Sequence, residues 1–596
     1  MCGICGEVYF NQANVSATAS LDNVNKMLPE LERRGPDAEG SWCYENVAFG
    51  HRRLSIIDLS AQSNQPMVDK ELGLVLVFNG AIYNYPELRE QFINEGYNFQ
   101  SHGDTEVIIK AYHKWGERCP EHLHGMFAFA IWDIRKKTLF IARDRMGIKP
   151  FYFNIDSQRI RFASNTQALL ATEGINRDID PIGLHHQFTL HAVIPAPHTI
   201  IKGIRKLEPG TSVTIDINGK QTPRRYWQLD AVRPEKALTE QQWTDVIHDA
   251  LREAVRKRLD VADVPVGVLL SGGLDSSLLV ALLAEAGVKD LRTFSIGFED
   301  HPDEKGDEFE FSDQVVERYQ TNHQKIHIPN SAVLKRLPEA VQFMSEPMVG
   351  QDAVAFYLLS EQVAKDVKVV QSGQGADEVF AGYFWYPKMY NDTLSATSDV
   401  GRFARYYFDR DHTEFLQTVS ADYRQQDYTS ATIANLLARP KADNYLDKVL
   451  HLDVNTLIVD DPVKRVDNMT MAWGLEARVP FLDHHLVELA ASMPPEMKLQ
   501  SGGKHVLKLI SRGLIPDAVI DRPKAYFPMP ALKYVKGEFL DFMRDILNSH
   551  ACMSRNVYNR SYVEKLLDEP DQHFTRLQGS KLWHMALLEF WLQKHV

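Results

Sequence analysis

The second residue of this 596-residue chain is a cysteine, in Met1-Cys2-Gly3-Ile4-Cys5-Gly6. Removal of Met1, which is common before a small second residue, leaves a thiol and a free α-amine on one residue. With reference pKa values of about 8 for the amine and about 8.5 for the thiol, the amine can take the thiol proton without a histidine base. Such a thiolate attacks a side-chain amide, forms a thioester and releases ammonia. On this string alone two other readings stay open: a redox or zinc pair, or two buried thiols. A zinc site needs about four ligands, and no second Cys-x-x-Cys or His-x-x-His pair completes one.

A second chemical string is Ser271-Gly272-Gly273-Leu274-Asp275-Ser276-Ser277, which follows a predicted buried strand and opens a helix. Backbone N–H groups and the helix dipole then converge on one anion. Gly-Gly alone reads equally well as a tight connection, but the whole string fits a pyrophosphate and lacks the lysine of a Walker loop. A third string, Ser372-Gly373-Gln374-Gly375-Ala376-Asp377-Glu378, closes the next buried strand, 367–371. A parallel sheet brings it beside the first, where Asp275 and Asp377 would share Mg2+, a hard cation that prefers carboxylate and phosphate oxygens. Asp377 as a simple helix cap is the alternative.

These strings need elements to hold them. Up to about residue 227 the chain is written in short β-type runs, such as 73–78 and 127–132, broken by Gly, Asn and Asp, with a helix predicted over 105–115. This half reads as sheet-rich α+β. A polar stretch around 229–240 marks the boundary, giving domains 1–227 and 241–596. Beyond it the predicted order is strand 264–270, helix 276–286, strand 291–298, helix 313–322, strand 325–328, helix 353–366 and strand 367–371. That alternation predicts a parallel, doubly wound sheet with its ligand at the carboxyl ends of the strands. From about 385 to the aromatic helix 581–596 the pattern is nearly all helical, packed on the sheet and shaping an acceptor pocket.

The length fits at least two domains. The net charge of −13 gives no footprint for nucleic acid, so small-molecule partners are expected. The acidic stretch 299–310 reads as a solvated loop, with a metal site as the alternative. No apolar run reaches the roughly 18 residues that span a bilayer, and no secretory signal is visible, so a cytoplasmic protein is expected. Its five scattered cysteines read as reduced thiols.

Four strings in order, Met1-Cys2-Gly3-Ile4-Cys5-Gly6, Arg34-Gly35-Pro36-Asp37, Arg53-Leu54-Ser55-Ile56-Ile57-Asp58 and Asn79-Gly80-Ala81-Ile82-Tyr83-Asn84, resemble the class II glutamine amidotransferase domain, an N-terminal nucleophile sandwich. The resemblance implies that Cys2 is the nucleophile and that Asn79 with the Gly80 N–H forms the oxyanion hole. It also implies that Arg53 holds the glutamine carboxylate and Asp104 its α-ammonium, in a pocket with Leu54, Ser55, Ile56, Ile57 and Ala81. The family usually has Glu at the position of Ala81, so one pocket carboxylate is missing. Ser271 to Ser277 resembles the loop of ATP pyrophosphatases, which cleave ATP to AMP and pyrophosphate. Together with Leu475 to Asp483, Lys504-His505-Val506-Leu507-Lys508 and Arg522-Pro523-Lys524-Ala525-Tyr526-Phe527, it extends the resemblance to the asparagine synthetase family over nearly the whole chain. This implies an ATP site made by Leu270, Ser271, Gly272, Gly273, Asp275, Ser276, Ile296, Ser372 and Gly373, with Mg2+ on Asp275 and Asp377. Lys504 would stabilise charge as an acyl-adenylate forms and collapses. For Arg522 and Lys524 a plain surface charge is an equal alternative.

The implied reaction is glutamine- and ATP-dependent amidation of a carboxylate, with glutamine, ATP and the acceptor as partners and a homodimer as a further expectation. Asparagine synthetases normally have Glu where this chain has Gln374, and an amide cannot take a proton from ammonia. With Ala81, Gln374 and the segment His191-Ala192-Val193-Ile194-Pro195-Ala196-Pro197-His198-Thr199, the chain looks closest to the N-acetylglutaminylglutamine amidotransferases. An asparagine synthetase with an altered base is the alternative, and a degenerate sensor of glutamine or nucleotide is a third reading. The intact Cys2, Asn79, Asp275 and Asp377 argue against the third.

Overall fold

Two six-stranded antiparallel sheets lie face to face in the first half of the computed structural model, which describes residues 2–11, 17–300, 305–350, 352–392, 398–522 and 535–596. In the first sheet Cys2–Tyr9 runs between Val47–Arg53 and Arg159–Ala163, so Cys2 stands at a strand's beginning, opposite Arg53. In the second, Leu74–Ile82 pairs with Gly125–Asp133. The strand alternation decides the layers. Val75 and Val77 meet Ile4, Phe49 and Ala128 between the sheets, while Leu74, Leu76 and Phe78 face Val107, Ile108 and Ala111 of the helix Asp104–Trp115. Burial on both faces explains why these strands read as unbroken apolar runs; each large side chain so buried contributes roughly 1.5–3 kcal/mol.

The second half holds a five-stranded parallel sheet in the order Asn322–Ile328, Arg292–Phe298, Val266–Leu269, Val369–Gln371, Glu476–Arg478. Strand order reverses at Val266–Leu269, the switch point where an open α/β sheet leaves a crevice. The Ser271 and Ser372 loops leave the two central strands side by side there. The helix Glu240–Asp260, which opens this half, starts with a reciprocal Thr239–Gln242 capping box.

One expectation is corrected. The helix expected over 313–322 is Phe309–Tyr319; Gln320 adopts a left-handed conformation (φ 50°), ends the helix, and frees Asn322 to start the next strand. The region after 385, nearly all helical as expected, adds one strand that was not expected, Glu476–Arg478, which joins the sheet edge beside Val369–Gln371. Three residues show no periodicity, so only tertiary pairing makes them a strand. The final helix Lys581–His595 buries Trp583 and Trp591, and no helix among the described residues is long and apolar enough to cross a membrane.

Candidate active sites

The first site is a small cavity between the sandwich and the synthetase sheet. Of the residues expected there, Cys2, Arg53, Leu54, Ile56, Ile57, Gly80 and Asp104 line it, whereas Ser55, Asn79 and Ala81 do not. Ser55 is half-exposed, its N–H donating to Asp37 Oδ2 at 2.7 Å. Ala81 is fully buried in the sheet. Asn79 sits behind Cys2, and its Oδ1 accepts the Cys2 N–H at 3.1 Å. That bond fixes the amide's orientation and leaves Nδ2 a buried donor without a partner among the described residues. A buried, unspent donor next to a nucleophile suits a developing oxyanion.

Charge is divided across this cavity. The Arg53 guanidinium donates to Ser60 O and Asn64 Oδ1, both at 2.7 Å, and to Asp58 O, all neutral acceptors. Asp104 opens the helix Asp104–Trp115 and accepts the Ile82 N–H at 3.0 Å; burial lifts its carboxyl to about 6. An amino acid's carboxylate and ammonium find opposite charges here. Burial also raises the Cys2 thiol, so the nucleophile needs a base to ionise.

Six lining residues were not read from the sequence as part of this site: Ser63, Gln65, Phe78 and Thr105 from the sandwich, and Glu476 and Arg478 from the sheet-edge strand. The Arg478 Nε donates to Glu476 Oε1 at 2.5 Å. Burial opposes the Glu476 charge, but Arg478 and Lys149 contribute to holding its carboxyl down at about 2. The cavity thus contains a second carboxylate despite Ala81, supplied by the other half of the molecule.

The second site is a cavity of 560 Å³ at the switch point. Leu270, Ser271, Gly273, Asp275, Ser276, Ile296, Ser372, Gly373, Asp377 and Lys504 all line it; Gly272 alone of the expected set does not. Gly272 makes the turn, with φ +77° and the Ser312 N 2.8 Å from where a Cβ would stand. Gly273 is the N-cap of the helix Leu274–Glu285, and the Ser271 N–H donates to Ser276 Oγ at 3.2 Å. The Lys504 Nζ lies 2.6 Å from Asp275 Oδ2 and 2.8 Å from Asp377 Oδ1, so one ammonium gathers the two carboxylates expected to bind metal. Burial works against the lysine's charge, and the two aspartates override it and hold its pKa above the ordinary range. Lys504 itself has φ +55° just before the helix His505–Ser511, a conformation costly for a residue with a side chain. Two carboxylates on one wall are a hard-oxygen donor set that fits Mg2+.

Gln374 lies half-buried on the same wall. Arg522 also belongs to the cavity, with its Nη2 2.8 Å from Glu308 Oε1, rather than to the outer surface; Lys524 lies outside the described residues. Asp352, Tyr383 and Arg465 also line the cavity, the Arg465 Nη2 being 3.0 Å from Asp352 Oδ2. No local string announced these three, since they come from separate helices and loops. The acidic stretch expected as a loop continues into the helix Phe309–Tyr319, and its residues 301–304 lie outside the described residues.

Residues 1–227 match the glutamine amidotransferase domain family and residues 246–593 match the asparagine synthase family. The chain is 30% identical to asparagine synthetase (glutamine-hydrolyzing) 1 of Bacillus subtilis (strain 168), over 99% of this chain and 96% of that protein. It is also 30% identical to asparagine synthetase (glutamine-hydrolyzing) 3 of the same strain, over 100% and 99%. Amidase chry2 of Gibberella zeae is 26% identical over 96% and 93%. The chain therefore belongs to the glutamine-hydrolysing asparagine synthetase family and is a glutamine-dependent carbon–nitrogen ligase, an N-terminal nucleophile domain joined to an ATP-pyrophosphatase-type domain.

Proposed function

We propose that this enzyme converts the C-terminal carboxylate of N-acetylglutaminylglutamine to its amide, using a glutaminase unit at 1–227 and a synthetase unit at 241–596. In the first, the α-amine of Cys2 takes the thiol proton once Met1 is removed. The thiolate attacks the glutamine side-chain amide, and the oxyanion is met by the Asn79 Nδ2 and the Gly80 N–H. The proton leaves with ammonia, and water hydrolyses the thioester. Arg53 and Asp104 hold the two charged ends of the amino acid.

In the second unit the acceptor carboxylate attacks the α-phosphorus of ATP; a P–O bond forms to the acyl oxygen and the bond to pyrophosphate breaks. The glycine loop and the helix beginning at Leu274 cradle the leaving pyrophosphate. Asp275 and Asp377 would hold Mg2+, which when bound neutralises phosphate charge. Lys504, kept charged between them, stabilises the extra negative charge of the transition state. Ammonia then displaces AMP from the acyl-adenylate.

The observation that supports the acceptor is Gln374 on the wall of the synthetase cavity, where the family resemblance leads one to expect a glutamate. An amide is both donor and acceptor, the complement of peptide amides, and it cannot serve as a base for ammonia. The Asp352–Arg465 pair in the cavity wall favours a second reading, because a zwitterion such as aspartate would find both charges there. The test supplies ATP, Mg2+ and glutamine with either N-acetylglutaminylglutamine or aspartate, then measures pyrophosphate. The dipeptide should elicit pyrophosphate and AMP, with mass spectrometry showing amidation at its C-terminus. Asparagine formation with no response to the dipeptide would replace this reading with the second.

A further inference from the structure

Outside both cavities, His191, Asp409 and His584 bring one nitrogen or oxygen each within 4.8 Å of one another. They come from far apart in the chain: the turn after the helix Pro181–Thr189, the turn after the helix Asp399–Tyr407, and the final helix Lys581–His595. The His191 Nδ1 lies 2.7 Å from Asp409 Oδ2 and the His584 Nδ1 3.6 Å from the same oxygen, with the two imidazole centroids 4.8 Å apart.

A hydrogen bond between His191 and Asp409 accounts for only part of this cluster. The His584 side chain is 2% exposed, yet among the described residues neither ring nitrogen has a hydrogen-bond partner, and Asp409 Oδ1 is equally unmet. Buried polar groups are rarely left so in native proteins. Around a tetrahedral ion with bonds of about 2.0–2.1 Å, ligand atoms stand about 3.3 Å apart, between the two separations seen here.

We propose that His191, Asp409 and His584 form a binding site for a divalent cation of the zinc class, with the two Nδ1 atoms and the Asp409 carboxylate as ligands. The 14% exposure of the His191 side chain leaves a path for the ion and room for water as a fourth ligand. The ion ties the turn at His191 to the synthetase half and to the last helix, so its binding free energy adds to the stability of that junction. The two other histidine clusters are poorer candidates. Both nitrogens of His185 are already bonded, to Thr429 Oγ1 at 2.5 Å and to His412 Nδ1 at 3.0 Å, and in His124, His484 and His485 the last is exposed.

The test uses the full chain, stripped with a chelator, then titrated with Zn2+ by calorimetry and with Co2+ by its visible absorption. Wild type should bind one equivalent at this site, with a rise in Tm. His584→Ala, Asp409→Asn and the milder His191→Gln should each weaken uptake by more than about a hundredfold, beyond the effect of an outer-shell partner. The His191→Gln protein, whose side chain is the most exposed of the three, keeps the comparison valid if the others fail to fold. No uptake by wild type, or undiminished uptake by folded His191→Gln, would overturn the site.

Discussion

Arg53 and Asp104 meet the cavity beside Cys2, the proposed glutamine site, with opposite charges, and burial brings the carboxyl closest to neutrality. Burial lifts it to about 6, so the carboxylate that can hold an α-ammonium is lost as pH falls through that value. The expected outcome is a kcat/KM for glutamine that falls about tenfold per pH unit below about 6, and an Asp104→Asn variant with a raised KM and no such limb. A pH profile of glutaminase turnover without acceptor checks this; an unchanged limb in the variant removes Asp104 from the site. The sign for stability is opposite to that of an ion-paired aspartate. The folded state holds this proton more tightly, so stability falls as pH rises from about 4 to about 6. At this scale Cys2 and Asp275 were legible because their chemistry is written in contiguous strings. Asp352 and Arg465 were not, because each reaches its cavity from an element with no string of its own, and Glu476, though inside the string Leu475 to Asp483, reaches the other half's cavity only through sheet pairing.

The glycine turn after Val266–Leu269 shows how an element places a reacting group. Gly272 has φ +77°, and a Cβ there would stand 2.8 Å from the Ser312 N. A side chain in this conformation costs roughly 1–2 kcal/mol before the clash is counted. Gly272→Ala should therefore slow pyrophosphate formation by at least about tenfold, a change equivalent to about 1.4 kcal/mol in barrier. Basal glutaminase activity, housed on the other sheets, should remain. Unchanged pyrophosphate release would remove this loop from phosphate binding. The strand–turn–helix order around it was readable from periodicity, while the strand Glu476–Arg478 was not, since its three residues become a strand only by pairing with Val369–Gln371.

Over the whole molecule, the two cavities are joined by short connections through the sheet. The Ser372 N–H, at the larger cavity, donates to the carbonyl of Arg478, whose residue lines the Cys2 cavity, at 2.9 Å. Buried ion pairs cross the same junction: the Arg34 Nη1 and the Lys149 Nζ lie 2.9 and 3.2 Å from the Asp467 carboxylate. Removing one partner would strand a buried charge, so the halves are held in one arrangement. Separate chemistry on a shared junction predicts that Cys2→Ala abolishes glutamine-driven synthesis and largely retains synthesis driven by added ammonia. Product assays with each nitrogen source check it, and equal loss of both in a folded variant would count against two sites. By itself the sequence determined the family and the two fold classes, and it singled out Cys2 and the Ser271 loop as the proposed nucleophile and pyrophosphate site, because each is encoded by residues adjacent in the chain or by local periodicity. Only the tertiary structure decided that Lys504 gathers Asp275 and Asp377, that Glu476 enters the cavity beside Cys2 and that His191, Asp409 and His584 converge, because such contacts arise from packing between segments far apart in the chain.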